Sequence, residues 1–178
     1  MSKYYIMSTK SDDSTNWATS RTEEGYDSRK LWSTIENLTE PEQWPGLDLT
    51  LDEGVLSDYL SSNVIGRMYS PRIVSLLQPY SKNILWLPVK IHGSENKIHD
   101  FYFMHIPFIP IPDILDIEKT KYVGELVLRP HVSIAKSKDW PIFILNHSDI
   151  YPIVCEDIKK AIEALSPERF AFKKVSSS

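Results

Sequence analysis

Cysteine is all but missing from this chain: Cys155 is the only one in 178 residues. An internal disulfide is therefore excluded, and the composition suits a reducing compartment. Glycine is also scarce, with six residues. None of them builds a phosphate-cradling loop of the P-loop or dinucleotide-binding kind. There is no Gly-x-Ser-x-Gly elbow for a serine nucleophile. No apolar run is long enough to span a bilayer. The first seven residues lack the apolar core and small-residue cleavage site of a secretory signal, so a cytoplasmic location is expected. An excess of positive charge is missing too. The formal net charge is −4, from 24 acidic and 20 basic residues. Arg72, Lys82, Lys90 and Lys97 do not gather with aromatics into a nucleic-acid stripe, so neither a nucleic acid nor a membrane is expected as partner.

What is present is aromatic mass. Five Trp, nine Tyr and six Phe supply core area, since each ring buries about 150–250 Å². Apolar residues make up 42% and charged residues 25%, as in an ordinary globular protein. A chain of this length fits one domain over residues 1–178. Charge is unevenly spread. Residues 1–60 hold 12 acidic and 5 basic residues, against 12 and 15 in the remainder. An acidic N-terminal third offers a negative face to a basic partner, because complementary charge speeds and selects encounter.

Hydrophobic spacing predicts the elements. Lys3 to Ser8 reads as a first strand. Residues 8–30 are polar and read as loop, with Trp17 and Tyr26 as pins. Leu31, Ile35 and Leu38 have helical spacing, ended by Pro41. Thr50-Leu51-Asp52-Glu53 has the form of a capping box, which predicts a helix carrying Leu56, Tyr59 and Leu60 on one face. Ser70-Pro71 predicts a second helix through Ile73, Leu76, Leu77 and Tyr80. Residues 84–91 and 98–106 read as a strand hairpin around His92 to Asn96, with Pro88 marking an edge or a bulge. Pro107, Pro110 and Pro112 predict an extended, irregular stretch. Glu125 to Leu128, Val132 to Ala135 and Trp140 to Leu145 read as strands. The last helix spans Glu156 to Leu165, with Ile158, Ala161, Ile162 and Leu165 inward. Phe170 to Val175 closes the chain as a strand, and Ser176 to Ser178 form a flexible tail. Strands adjoining in sequence, with helices before and after, predict an α+β fold with a mainly antiparallel sheet and helices packed on it.

Three constellations invite chemistry. His99 and His105 share strand parity, and His92 lies near the same turn. No cysteine or spaced carboxylate completes a ligand set, so no metal site is expected. Cys155 with His131 or His147 and Asp149 has the composition of a nucleophilic triad. Its place before a helix start is equally that of a small buried residue. Asp113, Asp116 and Glu118 form an acidic cluster after the prolines. They lack the glycine and oxygen-ligand spacing of a calcium loop, and a partner contact or a solvated loop accounts for them. Neither a catalytic residue nor a cofactor is assigned.

The order of features resembles a family of immunity proteins from bacterial polymorphic-toxin systems, long filed as a domain of unknown function. The likeness is carried by Lys3-Tyr4-Tyr5-Ile6, by Ser70-Pro71-Arg72-Ile73 and by Leu87-Pro88-Val89. It continues through Phe101-Tyr102-Phe103 to Ile114-Leu115-Asp116, and through Ile142-Phe143, Asp157 to Leu165 and Phe170 to Val175. It covers roughly residues 3–175. Membership would imply a cytoplasmic protein that binds and neutralises a cognate toxin in interbacterial competition, by occluding its active site. The acids Asp12, Asp13, Glu23, Glu24, Asp27, Asp113 and Asp116 are the expected contacts, with Trp17 and Tyr26 as anchors. A hydrolase that reverses the toxin's modification, or an adaptor without catalysis, are the alternatives. Whether the protein is a monomer or a homodimer stays open at this level.

Overall fold

The computed structural model describes residues 3–10, 19–23, 26–109, 111–147, 149–165 and 169–178. Asp12, Asp13, Trp17 and Glu24 lie outside the described residues. In chain order the first elements are β1 (Tyr4–Thr9), β2 (Thr19–Arg21), α1 (Ser28–Asn37), β3 (Leu47–Glu53), β4 (Tyr59–Ser62), β5 (Met68–Tyr69), α2 (Pro71–Leu77), β6 (Leu85–His92) and β7 (Ile98–His105). There follow α3 (Ile111–Ile114), β8 (Lys121–Val123), β9 (Leu126–Arg129), β10 (His131–Val132), β11 (Ile142–Phe143), β12 (Ile153–Cys155), α4 (Glu156–Leu165) and β13 (Phe170–Ser177). The class is α+β, with mostly antiparallel pairing. Among the described residues no helix is long and apolar enough to cross a membrane. Internal contacts group the chain into two compact units, one of Met1–Ser8 with Phe108–Ser178, the other Thr9–Pro107. Contact grouping and independent folding are different properties, and the expectation of one domain concerns the second.

The Thr9–Pro107 unit is built on a closed barrel in the order β2-β3-β6-β7-β5-β4. Its longest joint is the β6–β7 hairpin, paired from Leu85↔His105 to His92↔Ile98. Alternation drives this. Leu87, Val89 and Ile91 are buried on β6, while Pro88, Lys90 and His92 are exposed. The barrel closes through two parallel joints, β3 with β6 and β2 with β4. Its interior holds Leu47, Leu49, Leu60, Met68, Leu87, Val89, Ile91, Phe101 and Phe103, with Leu31, Ile35 and Leu38 of the α1 region in the same cluster. Pro88 sits where only β7 pairs with β6, because the β3 register begins at Val89. A donor missing on that side costs no rung. The Trp44 indole N–H takes up the Pro88 carbonyl instead, at 2.9 Å.

One expected helix is absent. Residues 50–53 belong to β3, and Tyr59 and Leu60 belong to β4. A capping box needs only two residues, whereas Leu47-Asp48-Leu49-Thr50-Leu51 alternates apolar and polar over its length. That period of two commits the segment to a sheet face. The Ser70-Pro71 start holds, and the helical spacing of Leu31 and Ile35 falls within α1, whose start is not read from sequence. Asp27 caps α1, its carboxylate accepting from the Arg29 and Lys30 N–H groups at 3.0 and 3.2 Å. Ser70 caps α2, with Pro71 in the first turn. The Ser70 hydroxyl also donates to Asp58 at 2.6 Å.

The other unit carries a five-stranded sheet in the order β10-β13-β1-β12-β11. Tyr4 pairs with Cys155 across β1 and β12, and its ring lies 5.8 Å from Phe143. Ile158 and Ile162 of α4 are fully buried, and Ala161 and Leu165 partly so. Only Ile142 and Phe143 of the run 140–145 are paired as strand. The serine tail differs from expectation. Ser176 and Ser177 pair with His131 and Val132, and Ser178 exchanges backbone bonds with Val132 and Ile134. Composition alone made it look free; parallel pairing to β10 satisfies its backbone. The proline-rich stretch ends in the one-turn α3, so Asp113 sits in a helical turn rather than in an extended loop. β8 and β9 form a separate two-stranded sheet.

Candidate functional site

The acids named from sequence fall in different surroundings. Glu23, Tyr26 and Asp27 come together at the entry to α1. The Tyr26 N–H donates to the Glu23 carbonyl at 3.3 Å. Asp27 is held by its capping bonds. The Tyr26 ring is left 40% exposed. Partial burial, and then the Asp27 charge, push its hydroxyl pKa up, so it stays a neutral donor.

Two adjoining clefts meet at Tyr26 and Gly46. The larger, of ≈ 550 Å³, is lined by Glu23, Tyr26, Asp48, Thr50 and His92 among others. The smaller, of ≈ 440 Å³, is lined by Tyr26, Asp27, Lys30, Thr34 and Gln43 among others. Gly46, on the shared rim, has φ +80°, a region costly for a side chain. The β3–β6 register places Thr50 opposite His92, and His92 Nε2 lies 2.7 Å from the Asp48 carboxylate. The result is a part-exposed tyrosine in clefts lined by the acids Glu23, Asp27 and Asp48, together with Lys30 and His92. Such a surface suits a lysine or arginine side chain: the ring face attracts the cation and the carboxylates accept its N–H groups.

Removing the cap tests how far this geometry depends on α1. Asp27→Ala should lower stability to urea by about 1 kcal/mol, with Asp27→Asn losing only a few tenths. Equal losses for the two variants would sink the capping account.

Asp113 and Asp116 lie in the other unit. Asp113 is exposed on α3. Asp116 is engaged: its carboxylate lies 3.1 Å from Lys119 Nζ and accepts the Lys119 N–H. Hydrogen bonding to Lys119 is the main reason its pKa falls below the usual carboxylate range.

The histidines of the β6–β7 hairpin do not gather into a ligand set. His99 and His105 are six residues apart on one strand, about 20 Å at strand rise. His105 is fully buried, with Nε2 2.8 Å from the Leu38 carbonyl. His92 engages Asp48. Among the described residues no group of three His, Cys, Asp or Glu side chains is gathered for a metal. Asp149 accepts the Leu145 and Asn146 N–H groups, both at 2.9 Å, so its carboxylate holds a turn. His131 Nε2 lies 2.9 Å from the Ser178 hydroxyl. Burial raises the Cys155 pKa, against the opposing pull of the Ile158 and Asp157 N–H groups. Its sulfur thus stands at the N-terminal end of α4 as a protonated thiol. Native protein at pH 8 should label at least about tenfold more slowly with a thiol reagent than unfolded protein. Matching rates would overturn this. The sign follows for stability: the raised folded pKa favours the fold fully below the unfolded thiol's pKa, and that advantage disappears as pH climbs through the folded value.

Sequence reasoning missed Asp48 and weighed His92 only as a metal ligand; a parallel register brings both to the site. It also missed an apolar surface on the β8–β9 hairpin, where Val123, Leu126 and Leu128 are more than 60% exposed. The apolar run there marked a strand, with nothing to say that it is uncovered. Neither a protein-family model nor a curated protein sequence matches the chain.

Proposed function

We propose that this chain is an immunity protein, which binds a cognate bacterial toxin in the cytoplasm and neutralises it by covering its active site. The observation that carries the reading is Tyr26, shared by two open clefts lined by the acids Glu23, Asp27 and Asp48. A basic toxin surface has the matching chemistry. Acids steer its approach, and a part-exposed ring provides an anchor that loses little side-chain entropy on docking. The order of motifs from Tyr4 to Val175 supports the same reading by resemblance. The hydrolase alternative would use Asp113, Asp116, Glu118 or the histidines; it draws no support from Asp116, whose carboxylate is engaged by Lys119, or from His105, buried against the Leu38 carbonyl.

Co-expression with the toxin encoded in the same gene neighbourhood tests this. Rescue of growth, together with recovery of a stable complex, is the expected result. Continued killing at full expression of both proteins sinks it. Rescue without any complex would move the assignment to the enzymatic alternative.

A further inference from the structure

The β8–β9 hairpin is held at its base and bare beyond it. The hydroxyl of buried Thr120 donates to the Asp116 carbonyl at 2.8 Å and accepts the His131 N–H at 3.1 Å. Past Thr120, β8 and β9 pair only with one another among the described residues. A lone two-stranded sheet is marginal in water. Its two faces differ. Side chains alternate along β8, so Lys121 and Val123 share one face and Tyr122 takes the other. Cross-strand partners share a face, which adds Arg129 to Lys121, Leu126 to Val123 and Val127 to Tyr122. The register shift beside Lys121 leaves Leu128 as an extra residue on β9. Tyr122 is 37% exposed and Val127 intermediate, whereas Val123 and Leu126 are 61% and 66% exposed. The chain thus shields the Tyr122–Val127 face more and leaves the other open.

The open face is divided by polarity. Val123 and Leu126 lie beside the turn, and Lys121 lies about 7 Å from Val123 at strand rise. Lys121 and Arg129 meet there as like charges, which is destabilising. Among the described residues neither side chain has an ion-pair or hydrogen-bond partner. One carboxylate brought by a partner answers both cations, and an aliphatic group beside it covers Val123 and Leu126. A bilayer fits less well. Glu125, in the turn, would enter first, and burying an unpaired charge is costly. We propose that the face of Lys121, Val123, Leu126 and Arg129 is a second docking surface for the toxin, and that it takes an amphipathic segment in which a carboxylate neighbours an aliphatic side chain. The proposal rests on the immunity reading and adds to it a contact of the opposite sign. Glu23, Asp27 and Asp48 select a basic feature, and the hairpin cations select an acidic one. A partner that matches only one of the two surfaces is rejected.

Calorimetric titration of the full chain with the toxin encoded in the same gene neighbourhood tests the proposal. Lys121→Glu turns the like-charge pair into an ion pair within the hairpin. Its melting temperature should be no lower than the parent's, while toxin affinity falls about tenfold or more. A role confined to the hairpin's own stability would leave the affinity unmoved. Leu126→Ser removes apolar contact and should also weaken binding about tenfold or more. Circular dichroism melts establish that each variant is folded, and Lys121→Glu decides the matter if Leu126→Ser is not. A folded variant of either kind that binds within about threefold of the parent overturns the proposal and leaves the immunity reading standing. A parent that forms no complex with the toxin sinks both. Flotation of the parent with vesicles of phosphatidylcholine and phosphatidylglycerol, at unchanged toxin affinity in the variants, also overturns it and assigns the face to an anionic lipid surface.

Discussion

Phe103→Ala is expected to cost the Thr9–Pro107 unit about 3–5 kcal/mol, measured by urea unfolding. That is a large share of the stability of an ordinary domain, about 5–15 kcal/mol. Phe103 is fully buried on β7, opposite Leu87 on one side and Met68 on the other. Its ring lies 6.2 Å from that of Trp44 and 6.2 Å from that of His105. The Arg67 guanidinium sits 5.3 Å from its centroid. Alanine would leave a cavity that four neighbouring strands cannot collapse into without breaking register. It would also strip a buried cation of its ring face, an interaction worth about 2 kcal/mol when desolvated. Phe103→Leu keeps most of the volume and loses the ring, so the gap between the two variants separates packing from cation–ring attraction. A loss under about 1 kcal/mol for Phe103→Ala would show that the barrel interior is not the seat of stability.

Tyr26→Ala should weaken toxin binding about 30-fold or more, near 2 kcal/mol. The expectation rests on the proposed function. Among the described residues, Tyr26 is the one side chain on the sequence-derived contact list that is both aromatic and shared by two clefts. Tyr26→Phe should retain most of the affinity if the ring is the anchor. Asp113→Ala, on the exposed α3, should act mainly on the association rate and its salt dependence. Calorimetric titration gives the affinities, and unchanged melting temperatures exclude unfolding. A Tyr26→Ala affinity within about threefold of the parent would remove this residue from the interface.

Much of the fold is legible in the sequence where one period runs long enough. Glu156 to Leu165 repeats its apolar face over nearly three turns, and the structure places α4 on those same residues. The β6–β7 hairpin is read from two long apolar runs around a polar turn, and it pairs over eight residues. Ser70-Pro71 marks a helix start because hydroxyl and ring geometry act locally. The reading fails at 50–62, where a two-residue capping signature competes with a five-residue alternation. Barrel closure is not legible at all. It depends on β3 meeting β6, forty residues apart, and parallel pairs need no local turn to announce them. The site follows the same division. Glu23, Tyr26 and Asp27 stand out as acids and an aromatic in a polar stretch. Asp48 and His92 belong beside them only because Thr50 falls opposite His92.

The barrel's joints differ greatly in length. β6 and β7 share eight rungs, whereas β2 and β4 meet at two, Thr19↔Ser61 and Ser20↔Ser62. Local opening follows the cheapest joint. The Asn63 amide hydrogen, donated across this seam to the Ser20 carbonyl at 3.3 Å, should therefore exchange with solvent long before those of Leu87 or Phe101. The segment bearing Glu23 and Tyr26 leaves the barrel directly after β2. The aromatic anchor thus hangs from one of the barrel's two-rung seams, like those of β4 with β5 and β5 with β7, and a bound partner would act as a clasp across it, recorded as slowed exchange at residues it never touches.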